Sequence, residues 1–552
     1  MNDQTNALKE GLKQYTERMK EIRLLSSPGI EEVSSADEYS EILRKNFRKI
    51  GVRGEEMKEL DALKDVLREC EKYKSASLLF ETDGEIFCPE KAMEDEAKIG
   101  VFLDNQAYRL RKSSAYIDHL MYAHAHRDAL TGYDRVMVDS LYRRYEKEKN
   151  ITPEKAGELS LLQKKAYIAW CRAREEADFS LFRDSLSALV KANREMFELR
   201  NGRKPDSGNA VYNMLIDDFE RGFDTKKIDA LFEPCVPRIE ALVKKAADFE
   251  GKVRTDFLSR PVSQEDHLRV AKHIAGVMGF DETRGVILMA NQAFTSRVTR
   301  NDVRMTTYRK PADLADNIFT VMHEAGHSLF EQLQPEDNYE YFIQGDMTDG
   351  MHESVARFYE NIIGRSAGFM HFLYGELKRM LPGILDDVTE RELYDAVNVA
   401  KPSLIRTEAD ELTYPLHIII RYELEKDLLG GDLAVDELPA AWDEKYGKYL
   451  GVRPKNAKEG VLQDVHWTSD FAYFPTYLLG NIYGAMYYEK MQQDLDVETL
   501  LSEGNLLAVR DWMKEKVFQK ANILAPAEWI YDITGKEISP EPYLAYLERK
   551  YT

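Results

Sequence analysis

Asp316-Asn317-Ile318-Phe319-Thr320-Val321-Met322-His323-Glu324-Ala325-Gly326-His327-Ser328-Leu329-Phe330-Glu331 is the stretch on which the reading of this 552-residue chain turns. Ile318, Phe319, Met322, Leu329 and Phe330 recur at roughly helical spacing, and no proline falls between Ala312 and Leu333. Pro311 stands near the start, where a missing N–H is tolerated. A long, largely buried helix is expected. His323 and His327, four apart, share one face of it, so two imidazoles can meet one metal ion. Glu324, one step round, can reach a metal-bound water and take its proton. Burying two imidazoles without such a partner would be costly.

A metal held this way needs a third protein ligand and an open position. Gly350-Met351-His352-Glu353-Ser354-Val355-Ala356-Arg357-Phe358 is the obvious supplier. It begins a second amphipathic helix with Phe358, Ile362 and Ile363 as packing residues. Glu353, 26 positions after His327, is far enough for a loop and a returning helix. His352 competes with it, and spacing alone leaves the two open.

With these residues in place the chain resembles the thermostable (Taq-type) metallocarboxypeptidases, peptidase family M32. The resemblance rests on signatures in order: Asp302-Val303-Arg304-Met305-Thr306; His323 to His327; His352-Glu353-Ser354 with Arg357; Ile405-Arg406-Thr407-Glu408-Ala409-Asp410; and Gly460-Val461-Leu462-Gln463-Asp464-Val465-His466-Trp467. Tyr473-Phe474-Pro475-Thr476-Tyr477 with Gly480-Asn481 is also similar. The resemblance implies His323, His327 and Glu353 as metal ligands, which resolves the choice against His352. It implies Glu324 as general base and proton shuttle, and Arg406 as the holder of the substrate's terminal carboxylate. His466 and Tyr477 resemble the residues that stabilise the tetrahedral intermediate or steady the substrate backbone, with Tyr473 a rival for the tyrosine role.

The chemistry is coherent with those roles. Peptide hydrolysis places negative charge on the scissile carbonyl oxygen, which a metal and a phenol or imidazolium donor answer. Recognition of a free C terminus wants a planar guanidinium, which matches a carboxylate with two parallel hydrogen bonds. Arg304 is either a second carboxylate contact or a structural partner of Asp302, the latter favoured. His417 either faces the cleft as a substrate contact or packs. Zn2+, one per chain, suits two imidazoles and a carboxylate, with Co2+ or Mn2+ as possible substitutes.

Two stretches depart from the family pattern. Val355-Ala356 stand where Gln-Ser is usual, putting one supporting hydrogen bond in doubt. Met289-Ala290-Asn291-Gln292-Ala293-Phe294 stands where a His-Pro-Phe segment is common, so local backbone geometry or substrate contacts are expected to differ.

Composition bounds the rest. Charged residues are 31% and hydrophobic ones 43%, ordinary for a large soluble protein, and the net charge of -21 opposes nucleic acid as a partner. Cys70, Cys88, Cys171 and Cys235 are scattered without Cys-x-x-Cys spacing and read as reduced thiols. The N terminus lacks an apolar signal core, and no run of 18 or more apolar residues offers a membrane span. A cytoplasmic location without membrane association follows.

The expected fold is mainly α, a large helical metallopeptidase with a deep central cleft and a small β-sheet beside the motif helix. Residues 1–552 are taken as one unit, with 1–280 a mostly helical cleft wall and dimer or lid region and 281–552 the catalytic half. Helical patterns run from Leu8 through Tyr15, Met19 and Ile22, from Glu55 to Ala76, from Tyr133 to Leu181, around Leu186-Val190 and over Val211-Phe219. Asp206 or Ser207, Lys226 to Ile228 and Pro234 mark turns or helix starts. Gly285-Val286-Ile287-Leu288-Met289 and Arg304-Met305-Thr306-Thr307-Tyr308 have strand composition. His119, His124 and His126 do not form a ligand set, since residues two apart do not share a helix face.

The function expected is removal of single C-terminal residues from peptides that carry a free terminal carboxylate, with broad specificity. The resemblance also implies a homodimer. An oligopeptidase or dipeptidyl carboxypeptidase on the same scaffold is the alternative, followed by an inactive peptide-binding protein.

Overall fold

The computed structural model describes residues 58–246 and 251–552. The helical pattern read from Leu8 to Ile22 lies outside the described residues, as do Glu55 to Met57. The remainder of that second segment forms a helix that runs on to Ile86. Among the described residues the architecture is mainly α, with one three-stranded sheet. No helix of the described residues is long and apolar enough to cross a membrane.

The motif helix spans Leu314–Leu333. Asp313 caps it, its side chain accepting the Asp316 N–H, which satisfies one of the free donors of the first turn. Pro311 therefore lies ahead of the cap, not within the first turn. Ile318, Val321, Met322, Ala325 and Leu329 are buried, the apolar stripe expected of an element enclosed on most sides.

The sheet lies against this helix. Strand β1 (Gly285–Ala290) pairs parallel with β3 (Asp302–Tyr308), and β2 (Thr295–Thr299) pairs antiparallel with β3, giving the order β1-β3-β2. Strand β2 was not anticipated. Its alternation is short and polar, Thr-Ser-Arg-Val-Thr, and only the tight Arg300-Asn301 connection to β3 marks it. The Asn291-Gln292-Ala293 departure sits in the link from β1 to β2. Thr306 Oγ1 closes that link, donating to the Gln292 carbonyl at 2.9 Å and accepting the Phe294 N–H at 2.9 Å.

The Tyr133–Leu181 pattern is broken into separate helices. Gly132–Glu148 ends before Thr152, which caps Pro153–Glu176 by accepting the Lys155 N–H. The Thr-Pro pair at that cap was the unread signal. Helix Ala210–Phe219 and the start of Thr225–Phe232 fall where expected.

The segment after the motif is not one regular helix either. An α-helix over Asp349–Arg357 widens into π-helix over Phe358–Ile363. The departures Val355 and Ala356 are fully buried there. A Cβ on Gly326 would stand 2.9 Å from Ala356 Cα, so the motif helix and this one touch almost backbone to backbone. On its other side, helix Pro475–Asp494 approaches as closely: a Cβ on Gly480 would lie 3.1 Å from Glu353 Cγ.

One apolar core extends from Ala166 to Leu547 and encloses these elements. A smaller one, built on Leu60, Leu63, Leu120 and Leu141, reaches Phe342 and Ile343 just before the Asp349–Arg357 helix.

Candidate metal centre

His323, His327 and Glu353 each present a ligand atom within 4.8 Å of the others. Glu353 Oε2 lies 3.8 Å from His323 Nε2 and 3.6 Å from His327 Nε2. Metal–ligand bonds near 2 Å in a tetrahedron put neighbouring ligand atoms about 3.3 Å apart, so the three donors need only a small contraction. The donor set fits a divalent metal ion with an open position.

His352, the rival, is turned away from this focus. Its ring stacks on that of His327 with centroids 4.4 Å apart, and its Nε2 faces Glu331 Oε1 at 3.5 Å. The adjacent positions point in different directions because consecutive helical residues are about 100° apart.

Glu360 completes the cluster and was not foreseen. Its Oε2 lies 2.9 Å from His323 Nδ1, which leaves Nε2 free to bind metal. Seven residues after Glu353, it returns to the same side of the helix, within the π-helical stretch. Arg357 joins the two carboxylates, with Nε 2.9 Å from Glu353 Oε1 and Nη1 3.1 Å from Glu360 Oε2. Its guanidinium also sits 4.1 Å over the Tyr414 ring. Burial opposes ionisation of Glu353, but the His323, His327 and Arg357 charges hold its carboxyl well below the usual carboxylate range.

Glu324 is buried beside His323 and accepts a hydrogen bond from Thr295 Oγ1 at 2.8 Å. Burial raises its pKa, the direction a group needs if it must both take and return a proton. Thr295 thus ties strand β2 to the carboxylate, a contact no sequence pattern announced.

Arg406 sits in a short 3-10 turn and is almost wholly buried. Asp464 accepts from its Nε and lies 2.9 Å from its Nη2, while Nη1 donates to Tyr414 Oη at 3.0 Å. Its ion-pair partner is thus Asp464, 58 residues on, and not a carboxylate of its own segment. The guanidinium lies 5.0 Å from the centre of the Tyr477 ring. Tyr477 Oη meets His466 Nε2 at 3.2 Å, and the Tyr473 and Tyr477 rings pack edge to face at 5.4 Å. Burial raises the pKa of both tyrosines, and the Glu353 charge adds to the rise, so both phenols stand near the metal cluster as un-ionised donors.

Arg304 and His417, the two residues left with alternative roles, both make contacts within the protein. Arg304 on β3 is held by Asp302, with Nε and Nη2 at 3.0 and 2.8 Å from its carboxylate oxygens, the structural role. His417 is fully buried in helix Tyr414–Gly430, its Nδ1 3.0 Å from Tyr446 Oη, and offers no surface to a substrate. His124 is half-buried and His126 exposed, and they bond locally, to Arg127 and to the Tyr122 carbonyl.

Comparison with known proteins gives the same picture. The family model for the Carboxypeptidase Taq (M32) metallopeptidases matches residues 62–551. Carboxypeptidase 1 of Bacillus subtilis is 33% identical over 490 residues, covering 88% of this chain and 97% of that protein. The crystal structure of the M32 carboxypeptidase from Deinococcus radiodurans superposes with a TM-score of 0.85 at 30% identity, covering 89% of this chain and 98% of that one. Trypanosoma cruzi metallocarboxypeptidase 1 superposes at 0.84 with 28% identity, covering 90% and 99%. A helical body, a small sheet and a two-histidine, one-glutamate cluster, matched along nearly the whole chain, place this protein in the M32 family: it is a metallocarboxypeptidase.

Proposed function

We propose that this enzyme removes single residues from the C terminus of peptides, with Zn2+ as its metal and Co2+ or Mn2+ as substitutes. The observation that carries the reading is the convergence of His323, His327 and Glu353 with Glu324 beside them. Two imidazoles, one carboxylate and an open position are a donor set suited to zinc in hydrolysis.

The metal, when bound, supplies a Lewis acid and an acidified water. Glu324, steadied by Thr295, takes the proton from the water and later gives it to the leaving amine. Tyr477 or Tyr473, with His466, donates a hydrogen bond to the scissile carbonyl oxygen as it gains negative charge. Arg406 receives the terminal carboxylate. Asp464 and Tyr414 fix the plane of its guanidinium so that its other N–H groups are aimed in advance. A carboxylate clamp of this kind limits the product to the last residue.

The reading includes a deep central cleft, a homodimer and a cytoplasmic setting. The four cysteines, all free, are consistent with a reducing compartment.

A pair of peptides, one with a free C terminus and one amidated, tests the exopeptidase role of Arg406. Wild-type kcat/KM should favour the free acid by about 100-fold, and Arg406→Met should remove most of that preference. Equal hydrolysis of both peptides by wild-type enzyme would point to the oligopeptidase reading, and release of dipeptides to the dipeptidyl carboxypeptidase.

A further inference from the structure

Glu425 is fully buried in the middle of helix Tyr414–Gly430 and has no place in the reaction just described. No Lys, Arg or His forms an ion pair with it among the described residues; it is met by hydrogen-bond donors. Its Oε1 accepts the Trp467 indole N–H at 3.0 Å, and its Oε2 accepts the Ala472 backbone N–H at 3.1 Å. Tyr212 Oη lies 3.3 Å from the same Oε2.

The Trp467 and Ala472 donors lie just inside His466 and Tyr473, two of the residues proposed to meet the substrate's carbonyl oxygen. Trp467 directly follows His466, and Ala472 directly precedes Tyr473. Ala472 has φ of 69°, a left-handed backbone that an alanine adopts only at a cost, and its side chain is fully buried. Such a residue persists only where its surroundings hold it, and such strain gathers at functional sites. The hydrogen bond to Glu425 is what holds its N–H. One turn earlier on the same helix, Arg421 donates to Asp464, the residue two before His466.

We propose that Glu425 is a positioning residue for the reaction, tethering both ends of the 466–473 segment so that His466 and the tyrosines are aimed at the reacting carbonyl. This rests on the roles proposed above for His466, Tyr473 and Tyr477. Burial pushes the Glu425 carboxyl up to about 8, so the neutral acid prevails at neutral pH. In that form both oxygens still accept the two N–H groups. A carboxamide cannot do the same: its NH2 must face either Trp467 Nε1–H or Ala472 N–H, donor against donor.

Steady-state kinetics of metal-loaded Glu425→Gln, which keeps the side-chain volume, provide the test. The expected result is a kcat lower by about 10- to 100-fold, with KM within about threefold and metal content and melting temperature near wild type. Adding Ala472→Gly, which makes the left-handed conformation cheap, should recover about fivefold in kcat. His466→Ala, Tyr473→Phe and Tyr477→Phe are measured beside them. If one or more of these lowers kcat while Glu425→Gln stays within about twofold of wild type, the tethering role is overturned and the reaction scheme stands. If none lowers kcat, the scheme fails and takes the tethering role with it. A loss in Glu425→Gln that follows the loss of folded, metal-bound protein and is untouched by Ala472→Gly also overturns it.

Discussion

Glu360 shows what a single residue outside the motif contributes. A histidine that binds metal through Nε2 is best oriented when Nδ1–H donates to a carboxylate, and Glu360 stands 2.9 Å from His323 Nδ1. Glu360→Gln should lower metal affinity by about 10- to 100-fold, measured by titration against a competing chelator, with kcat of the saturated enzyme changed far less. Unchanged affinity would mean that Arg357 and the motif helix suffice to hold the ring. His323, Glu324 and His327 were legible in the sequence because i and i+4 must share a helix face. Glu353 was not separable from His352 by spacing, since both stand on the same short helix; only the direction of each side chain distinguishes them. Thr295, Glu360 and Glu425 were hidden because their partners lie 29, 37 and 42 or more residues away, and only the fold pairs them.

At the scale of elements, close helix contacts set the metal geometry. The motif helix meets the Asp349–Arg357 helix at Gly326, where a methyl group would fall 2.9 Å from Ala356 Cα and 3.1 Å from the Val355 carbonyl. Gly326→Ala should therefore cost about 1–3 kcal/mol of stability and weaken metal binding as Glu353 is pushed away, with melting temperature and metal titration as readouts. The Val355-Ala356 departure is consistent with this contact, because small or apolar side chains fill the seam. The start of the same helix is fixed by another buried carboxyl. Glu220 accepts the Gly350 N–H at 2.8 Å and the Tyr483 hydroxyl at 2.9 Å. Burial pushes Glu220 up to about 8 from an ordinary 4.5. A raised carboxyl makes the folded state bind the extra proton, so its stabilising effect is full below the unfolded pKa and is lost as pH rises through about 8. Between about pH 5 and pH 8, wild type should lose melting temperature relative to Glu220→Gln, whose carboxamide mimics the protonated acid. Parallel curves for the two proteins would refute the neutral-carboxyl assignment. The strand β2 and the Thr152-Pro153 break escaped the sequence reading for a shared reason: both are short, and local polar signals outweighed periodicity.

Over the whole molecule, a mainly helical body brings together residues from the motif helix, the Asp349–Arg357 helix, strand β2 and the 406–477 region. Family membership rests on nearly the full described chain, while the assignment of individual roles rests on distances within this one cluster. The central claim is that this cluster hydrolyses peptides from the free C terminus one residue at a time, with Glu324 as the base. Mass spectrometry of a mixed peptide pool, digested by zinc-loaded wild type and by zinc-loaded Glu324→Gln, tests it most directly. The account predicts ladders shortened by single C-terminal residues for wild type, and a rate lower by at least about 1,000-fold for Glu324→Gln at full metal occupancy. Products shortened by two or more residues at a time, or a Glu324→Gln variant as active as wild type, would contradict it.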